Sequence, residues 1–488
     1  MILSIDQSTS GTKGLVWDLD GRLLGRADVS HRQITNEQGW IEHDPIEILD
    51  NTYKAAKNAL DAAGVDPGAI SVIGISNQRE TAVCWDKSTG KSLYNAIVWQ
   101  CARAVDIVDS VRKAGLENEV RARTGLTLSP YFSAAKFGWI AKHVPEAATA
   151  MKADNLCCGT IDSWLIFKLT GEFKTDYSNA SRTQLFDLHE LTWNTTLTKA
   201  FGLSPNCLPE VCMSDSNFGL TDLNGLLQKP IPIHGVLGDS HGALFGNQCF
   251  EPSMAKATYG TGSSVMMNVG TVLPPLADGI VASLAWGMDG KVEYVLEGNI
   301  NYTGAVVQWL VEDIGILDEA KNAGKVAQSV SDTGGVYLIP AFSGLGAPHF
   351  NSDARAAWLG MNRATKKAHL VRAAMESIAY QIHDVVKVIN QCASKPISVM
   401  RVDGGPTRDD FLMNFQAGIL GIDIEVSNTE ELSGMGAAFC AAIGAGLTNK
   451  EAIFVGQSRR SIKPMIDIST RDKLLRGWEE AIETIKGT

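Results

Sequence analysis

The five residues Gly238 to Gly242, GDSHG, could support two different chemistries. Their G-x-S-x-G spacing is that of a hydrolase nucleophile elbow, with apolar IPIHGVL before it and the helix-compatible ALFGNQ after it, which would make Ser240 a nucleophile. The same stretch sets Asp239 at the carboxyl end of a predicted strand, where many α/β enzymes keep catalytic carboxylates. A serine hydrolase also needs an oxyanion-hole segment upstream, and HGV at 234–236 is a poor version of one.

Two further turns carry residues suited to phosphate. In DQSTSGTK, residues 6–13, backbone N–H groups and the hydroxyls of Ser8, Thr9, Ser10 and Thr12 could surround a phosphate, with Lys13 as counter-charge. Asp6 could position a magnesium ion through water, since Mg²⁺ keeps much of its hydration shell. YGTGS at 259–263 offers a second cradle. Either turn alone is an ordinary hairpin; in matching positions the two favour a phosphate clamp. The better-known nucleotide motifs are missing. No G-x-G-x-x-G follows a strand, and GKS at 90–92 has Trp85 where a P-loop needs its first glycine. VDGGPTRDDF at 402–411 could let a base or ribose approach the backbone, because glycine has no Cβ to obstruct it.

These turns need strands and helices to hold them. Apolar runs punctuated by Ser, Gly and Asp predict an antiparallel meander over residues 1–29, followed by a helix in PIEILDNTYKAAKNALDAAG, stopped by Gly64. Ile48, Tyr53, Ala56 and Leu60 share one face of that helix, and ISVIGISN is the next strand. MAKATYGTGSSVMMNVG, residues 254–270, predicts a second hairpin and YTGAVVQWLVEDIG a helix after it. The echo suggests internal duplication, with domains at 1–248 and 249–488.

Composition bounds the function class. A chain of 488 residues, 45% of them hydrophobic, has material for two large cores. Its net charge of −11 argues against nucleic acid as a partner. No run of about 18 apolar residues spans a membrane, and MILSIDQSTS lacks the basic start of a signal sequence, so a cytoplasmic protein is expected. The 9 cysteines show no C-x-x-C and no zinc spacing.

Taken together, DQSTSGTK, GWIEHDP (39–45), SNQRETAVCWD (76–86), YFSAAKFGW (131–139), SRTQLFDLHELTW (181–193), YGTGS, PAFSGLGAPHF (340–350), VDGG and EELSGMGAAF (430–439) resemble the FGGY carbohydrate kinases, most nearly their glycerol-kinase branch. The resemblance runs in collinear order along nearly the whole chain. It implies an α/β fold of two actin-like, ribonuclease-H-like ATPase domains around a central cleft that closes on binding, ATP and Mg²⁺ as cofactors, a small polyol or sugar as substrate, and a homodimer. By the same match Asp239 is the catalytic base and Ser240 becomes a pocket residue. Arg79, Glu80 and Tyr131 bind the polyol, Trp99 covers its carbon backbone, Thr261 and Gly262 hold phosphates, Gly304 and Gln308 lie nearby, and Gly405 and Asp409 lie near the adenosine.

The chain also departs from the glycerol-kinase pattern. Ser240 and Ser264 stand where that branch has Gln and an aromatic, Cys101 replaces an acid, Asp409 and Asp410 replace amides, and the Gly-Gly-x-Arg of a sugar-bisphosphate regulatory site is missing. The two serines predict a pocket that accepts a four- or five-carbon polyol or ketose. A non-catalytic actin-like nucleotide-binding protein is the remaining alternative, and the charged groups that kinase chemistry needs argue against it.

Overall fold

Short apolar runs broken by Gly, Asp and Ser pair with their neighbours along the chain, and the meander expected at the start forms from Ile2–Gln7, Gly11–Trp17 and Leu23–Ser30. The computed structural model describes residues 1–486. On its other edge Ile2–Gln7 pairs in parallel with Val72–Asn77, which pairs in parallel with Ile231–Gly238. Ile2–Gln7 and Val72–Asn77 are buried along their whole length, as central parallel strands must be. The register sets Asp6 beside Ser76, and both Gln7 and Gly238 beside Asn77, so three carboxyl ends line up.

Helices cover both faces of this sheet. Pro45–Ala63 starts at an Asp44 cap that accepts from the Ile46 amide and ends at Gly64, whose φ of 63° is the left-handed stop expected of it. Ile48, Ala56 and Leu60 on its inner face are buried. Gly14 brings the sheet against this helix, for a Cβ there would lie 2.2 Å from the Ala55 carbonyl. Leu15, pointing to the opposite face, meets Gly434 of the helix Leu432–Gly444.

That second helix comes from far along the chain. The first compact unit comprises Met1–Gln248 together with Ala282–Tyr294 and Glu431–Gln457, and the second comprises Cys249–Val281, Val295–Glu430 and the chain from Ser458 on. The first unit therefore takes two segments from beyond residue 248. Leu432–Gly444 is apolar along most of its length and small at its contacts, so it packs into the first sheet and against the helix Asp239–Gly246.

The second unit repeats the local plan. Met254–Tyr259 and Ser263–Gly270 form the expected hairpin; the first of them pairs in parallel with Val399–Asp403, and that strand with Asp423–Ser427. The predicted helix appears as Gly304–Glu312. Tyr380, Phe415, Ile419, Trp478 and Ile482 belong to one apolar cluster of this unit. Among the described residues no helix is long and apolar enough to cross a membrane, and the cysteines are free thiols, mostly buried.

Candidate active site

In the first unit the aligned strand ends gather most of the residues singled out from the sequence. Asp239 is the first residue of the helix Asp239–Gly246, immediately after the strand Ile231–Gly238. Its Oδ1 accepts from the amide of Ser240 at 2.6 Å and lies 3.2 Å from Nε of Arg79. Arg79 follows the end of Val72–Asn77, with 6% of its side chain exposed against 37% for Asp239. A buried guanidinium thus orients a carboxylate that still faces solvent. Gly238 permits this approach, since a Cβ there would lie 2.7 Å from Cγ of Arg79.

Glu80 belongs to a second ion pair. Its backbone φ is 63°, in the left-handed region, and its Oε1 lies 2.6 Å from Nε of Arg182, with both side chains almost wholly buried. Ser133 Oγ donates to the Glu80 carbonyl at 3.0 Å and helps hold the turn. Trp99 and Tyr131 meet edge to face with ring centroids 5.5 Å apart, both half-buried, and the Trp99 indole donates to Thr9 Oγ1 at 2.9 Å. This ties the aromatic pair to the turn Ser8–Ser10. Lys136 Nζ donates to the carbonyls of Pro130 and Tyr131, each at 2.5 Å, and of Phe132 at 3.3 Å, fixing the backbone around Tyr131.

The Ser8–Ser10 turn is closed by the Ser8 amide and hydroxyl, which both donate to the Gly11 carbonyl. Ser10 is exposed, and Thr12 is buried with no hydrogen-bond partner for Oγ1 among the described residues. Lys13 is already engaged: its Nζ lies 2.7 Å from Oε2 of Glu431, which also pairs with Arg26 at 2.6 Å. Asp6 lies beneath the turn. Burial pushes its carboxyl up to about 6, opposed by Lys13 and assisted by the charges of Asp239 and Glu431. Its buried Oδ1 has no hydrogen-bond partner among the described residues. A hard divalent ion fits such an oxygen. Among the described residues no cluster of three His, Cys, Asp or Glu could hold a metal, so the other ligands of such an ion would be water and substrate oxygens.

Among the described residues no histidine pairs with Ser240. The neighbouring His241 Nε2 faces Ser283 Oγ at 3.1 Å, and among the described residues nothing hydrogen-bonds the Ser240 hydroxyl. The nucleophile-elbow reading of GDSHG lacks its base.

The remaining residues of interest lie in the second unit. Gly304 N donates to the Gly260 carbonyl at 2.9 Å and Thr303 N to that of Thr261 at 2.9 Å, so Thr261, Gly262 and Gly304 come together where the hairpin meets the helix Gly304–Glu312. Glycine is required at 262, where a Cβ would lie 2.3 Å from the Ile300 carbonyl. Gln308, one turn along, is exposed and donates to Glu312 at 2.8 Å. Gly405 faces open space and lines a cavity of about 370 Å³ with Asp403, Arg408, Asn428 and Arg460. Asp409 caps the helix Asp410–Leu420 through Oδ1 and accepts from Gly324 through Oδ2, which commits both of its oxygens to the fold. Ser264 donates to the buried Glu297 at 3.2 Å, leaving its oxygen only as an acceptor. The sequence assigned no role to Arg182, Lys136 or Glu431; for Lys136 alone, a charge inside the small and apolar stretch SAAKFGW was an available signal.

Comparison with known proteins bears on this geometry. Residues 1–246 match the N-terminal domain of the FGGY family of carbohydrate kinases, and residues 255–445 its C-terminal domain. Glycerol kinase 1 of Thermotoga maritima is 45% identical over 99% of this chain and 99% of its own length. The glycerol kinase of Caldanaerobacter subterraneus subsp. tengcongensis is 42% identical over 99% of this chain and 98% of its own. The crystal structure of Plasmodium falciparum glycerol kinase with ADP superposes with a TM-score of 0.93 at 34% identity, covering 99% of this chain and 98% of that one.

Proposed function

Since the chain belongs to the FGGY family of carbohydrate kinases, we propose that it transfers the γ-phosphoryl group of ATP to a terminal hydroxyl of glycerol or a glycerol-like polyol, with Asp239 as general base. The observation that carries this reading is the half-exposed Asp239 carboxylate held 3.2 Å from the buried Arg79, at strand ends shared with Asp6. Asp239 takes the hydroxyl proton as the oxygen bonds to the γ-phosphorus and the bond to the ADP oxygen breaks. Phosphoryl transfer asks the protein mainly for positioning and charge neutralisation. Arg79, Glu80 and Tyr131 hold the polyol, because hydroxyls both donate and accept, and Trp99 covers its carbons. Thr261, Gly262, Gly304, Gln308 and Gly405 serve the nucleotide, and Asp409, its oxygens spent on the Leu412 and Gly324 amides, serves it by holding the backbone next to Gly405. Magnesium, bound through Asp6 and water, would neutralise phosphate charge. A cytoplasmic homodimer is part of the same proposal, open to light scattering and fractionation.

Asp239→Asn keeps the shape of the side chain and removes the base. Loss of a general base costs about 10²–10⁴ in rate, so ADP release with saturating polyol should fall on that scale while MgATP still binds; near-native turnover would remove Asp239 from the role. The same assay over three- to six-carbon polyols and ketoses tests the substrate. Ser240 and Ser264 favour a four- or five-carbon compound, and glycerol outperforming all of these would show that the two serines do not set the length.

A further inference from the structure

Behind the aligned strand ends lies a buried polar cluster that the chemistry above leaves unused. Asp176, fully buried, caps the short helix Tyr177–Ala180. Five donors converge on its carboxylate: the amides of Ser178 and Asn179, the Ser178 hydroxyl, the Asn179 side-chain amide and the Ser214 hydroxyl. A buried carboxylate is tolerated where its lone pairs are used in this way. Two arms lead from it to the site. Ser178 Oγ accepts the N–H of Gly238 at 2.9 Å, and Gly238 immediately precedes Asp239. The Asn179 side-chain amide exchanges two hydrogen bonds with that of Asn77, at 2.9 and 3.1 Å, and Asn77 ends the strand that leads to Arg79. A third tie runs from Val236 N to the Ser214 carbonyl at 3.0 Å.

The hub is thus bonded to the last residue of each strand that delivers a member of the Arg79–Asp239 pair. Those two strands are in register at this point, Gly238 opposite Asn77, so a shift of either would move one group relative to the other. We propose that Asp176, acting through Ser178 and Asn179, is a positioning residue that sets the place of Asp239 relative to Arg79; this rests on the reading of Asp239 as the base. None of the three need touch substrate. Their hydrogen bonds go to one another, to Ser214 and to the two strand ends.

The test uses the whole enzyme assayed for ADP release. Ser178→Ala removes the acceptor for Gly238 and should lower kcat by about 10- to 100-fold, the scale of a misplacement of roughly 1 Å, with KM for ATP unchanged. In an Asp239→Asn background the same change should cost nothing further, because the group it positions is gone. A residue that merely supported the fold would lower activity in both backgrounds. Ser178→Thr and Ser178→Val add the same bulk and differ only in the hydroxyl, so Thr should turn over well above Val even where both are less stable. Thr52→Val removes another buried hydroxyl, one that donates within the helix Pro45–Ala63, and should leave kcat unaltered. Native kcat in Ser178→Ala, or equal turnover of the Thr and Val variants, beside a crippled Asp239→Asn enzyme, overturns the positioning role and leaves the base in place. Native turnover of Asp239→Asn itself overturns the base, and the positioning role with it.

Discussion

An ammonium group with three protons can satisfy three carbonyls, and Lys136 does so at Pro130, Tyr131 and Phe132. Burial pulls this lysine down to about 7, with the Glu80 carboxylate acting in the opposite sense. The sign of its effect on stability follows. The folded pKa lies below the unfolded value of about 10.4, so between them the folded state binds fewer protons, and this residue's contribution to stability improves as pH rises through 7. Its effect on the site should run the other way. A neutral amine has two donors, one carbonyl is released, and the turn that carries Tyr131 loosens. With Tyr131 in its proposed place against the polyol, KM for the polyol is expected to climb above about pH 7 while KM for ATP stays level, and Lys136→Met should hold the polyol KM high across the range. A polyol KM that is flat with pH in the native enzyme would show that Tyr131 does not depend on the third hydrogen bond. Glu80 and Arg182 illustrate why such pairs escape a reading of the sequence: 102 positions separate them, and neither lies in a pattern that names its partner.

Between elements, the decisive contacts are made by glycine. In the helix Leu432–Gly444 a Cβ at 436 would lie 1.9 Å from the Gly242 carbonyl, in the helix that begins with Asp239. The clash is with backbone, so the two helices would have to separate. Gly436→Ala should cost about 1–3 kcal/mol, the usual scale of overpacking, seen as a lower Tm, and should also reduce kcat because the displaced helix carries Asp239, the base in the proposed mechanism. Gly64→Ala provides the contrast. Its φ of 63° makes a side chain costly, about 1–2 kcal/mol, but open space surrounds the position and it caps a helix away from Asp239, so kcat should be retained. Equal kcat losses in the two variants would mean that global stability, not helix placement, governs the rate. The hairpins, the capped helix Pro45–Ala63 and Asp239 after its strand were all legible in the sequence because each depends on residues a few positions apart. The packing of Leu432–Gly444 was not, since its run of small residues fits many partners and its contacts in the first sheet lie far away along the chain.

At the scale of the chain, the net charge of −11 leaves the binding of an anionic nucleotide to local groups, and several cations of the first unit are already paired. Lys13 and Arg26 both meet Glu431, a residue that the sequence order assigns to the other half. This is the electrostatic side of a larger dependence. Leu432, Met435 and Phe439 are buried in the first unit, and Phe439 meets the buried Trp17 edge to face at 5.7 Å. Gly74 and Gly235, on neighbouring strands, have their Cα atoms against the backbone of the same helix at Ala437 and Ala441. A fragment ending at Gln248 retains every strand of the first sheet but loses the helix that covers one of its faces, and with it Glu431, which Lys13 and Arg26 share. Exposed apolar area costs about 25 cal/mol per Å², and a domain has only about 5–15 kcal/mol of net stability from which to meet that loss. The fragment 1–248 is accordingly expected to bind a hydrophobic dye and to melt without a cooperative transition, while the full chain does neither. Joining residues 431–457 to it through a flexible linker should restore part of the cooperativity. A fragment 1–248 that melts as sharply as the whole protein would show that the N-terminal stretch holds its own core, and that the returning helix serves only the placement of Asp239.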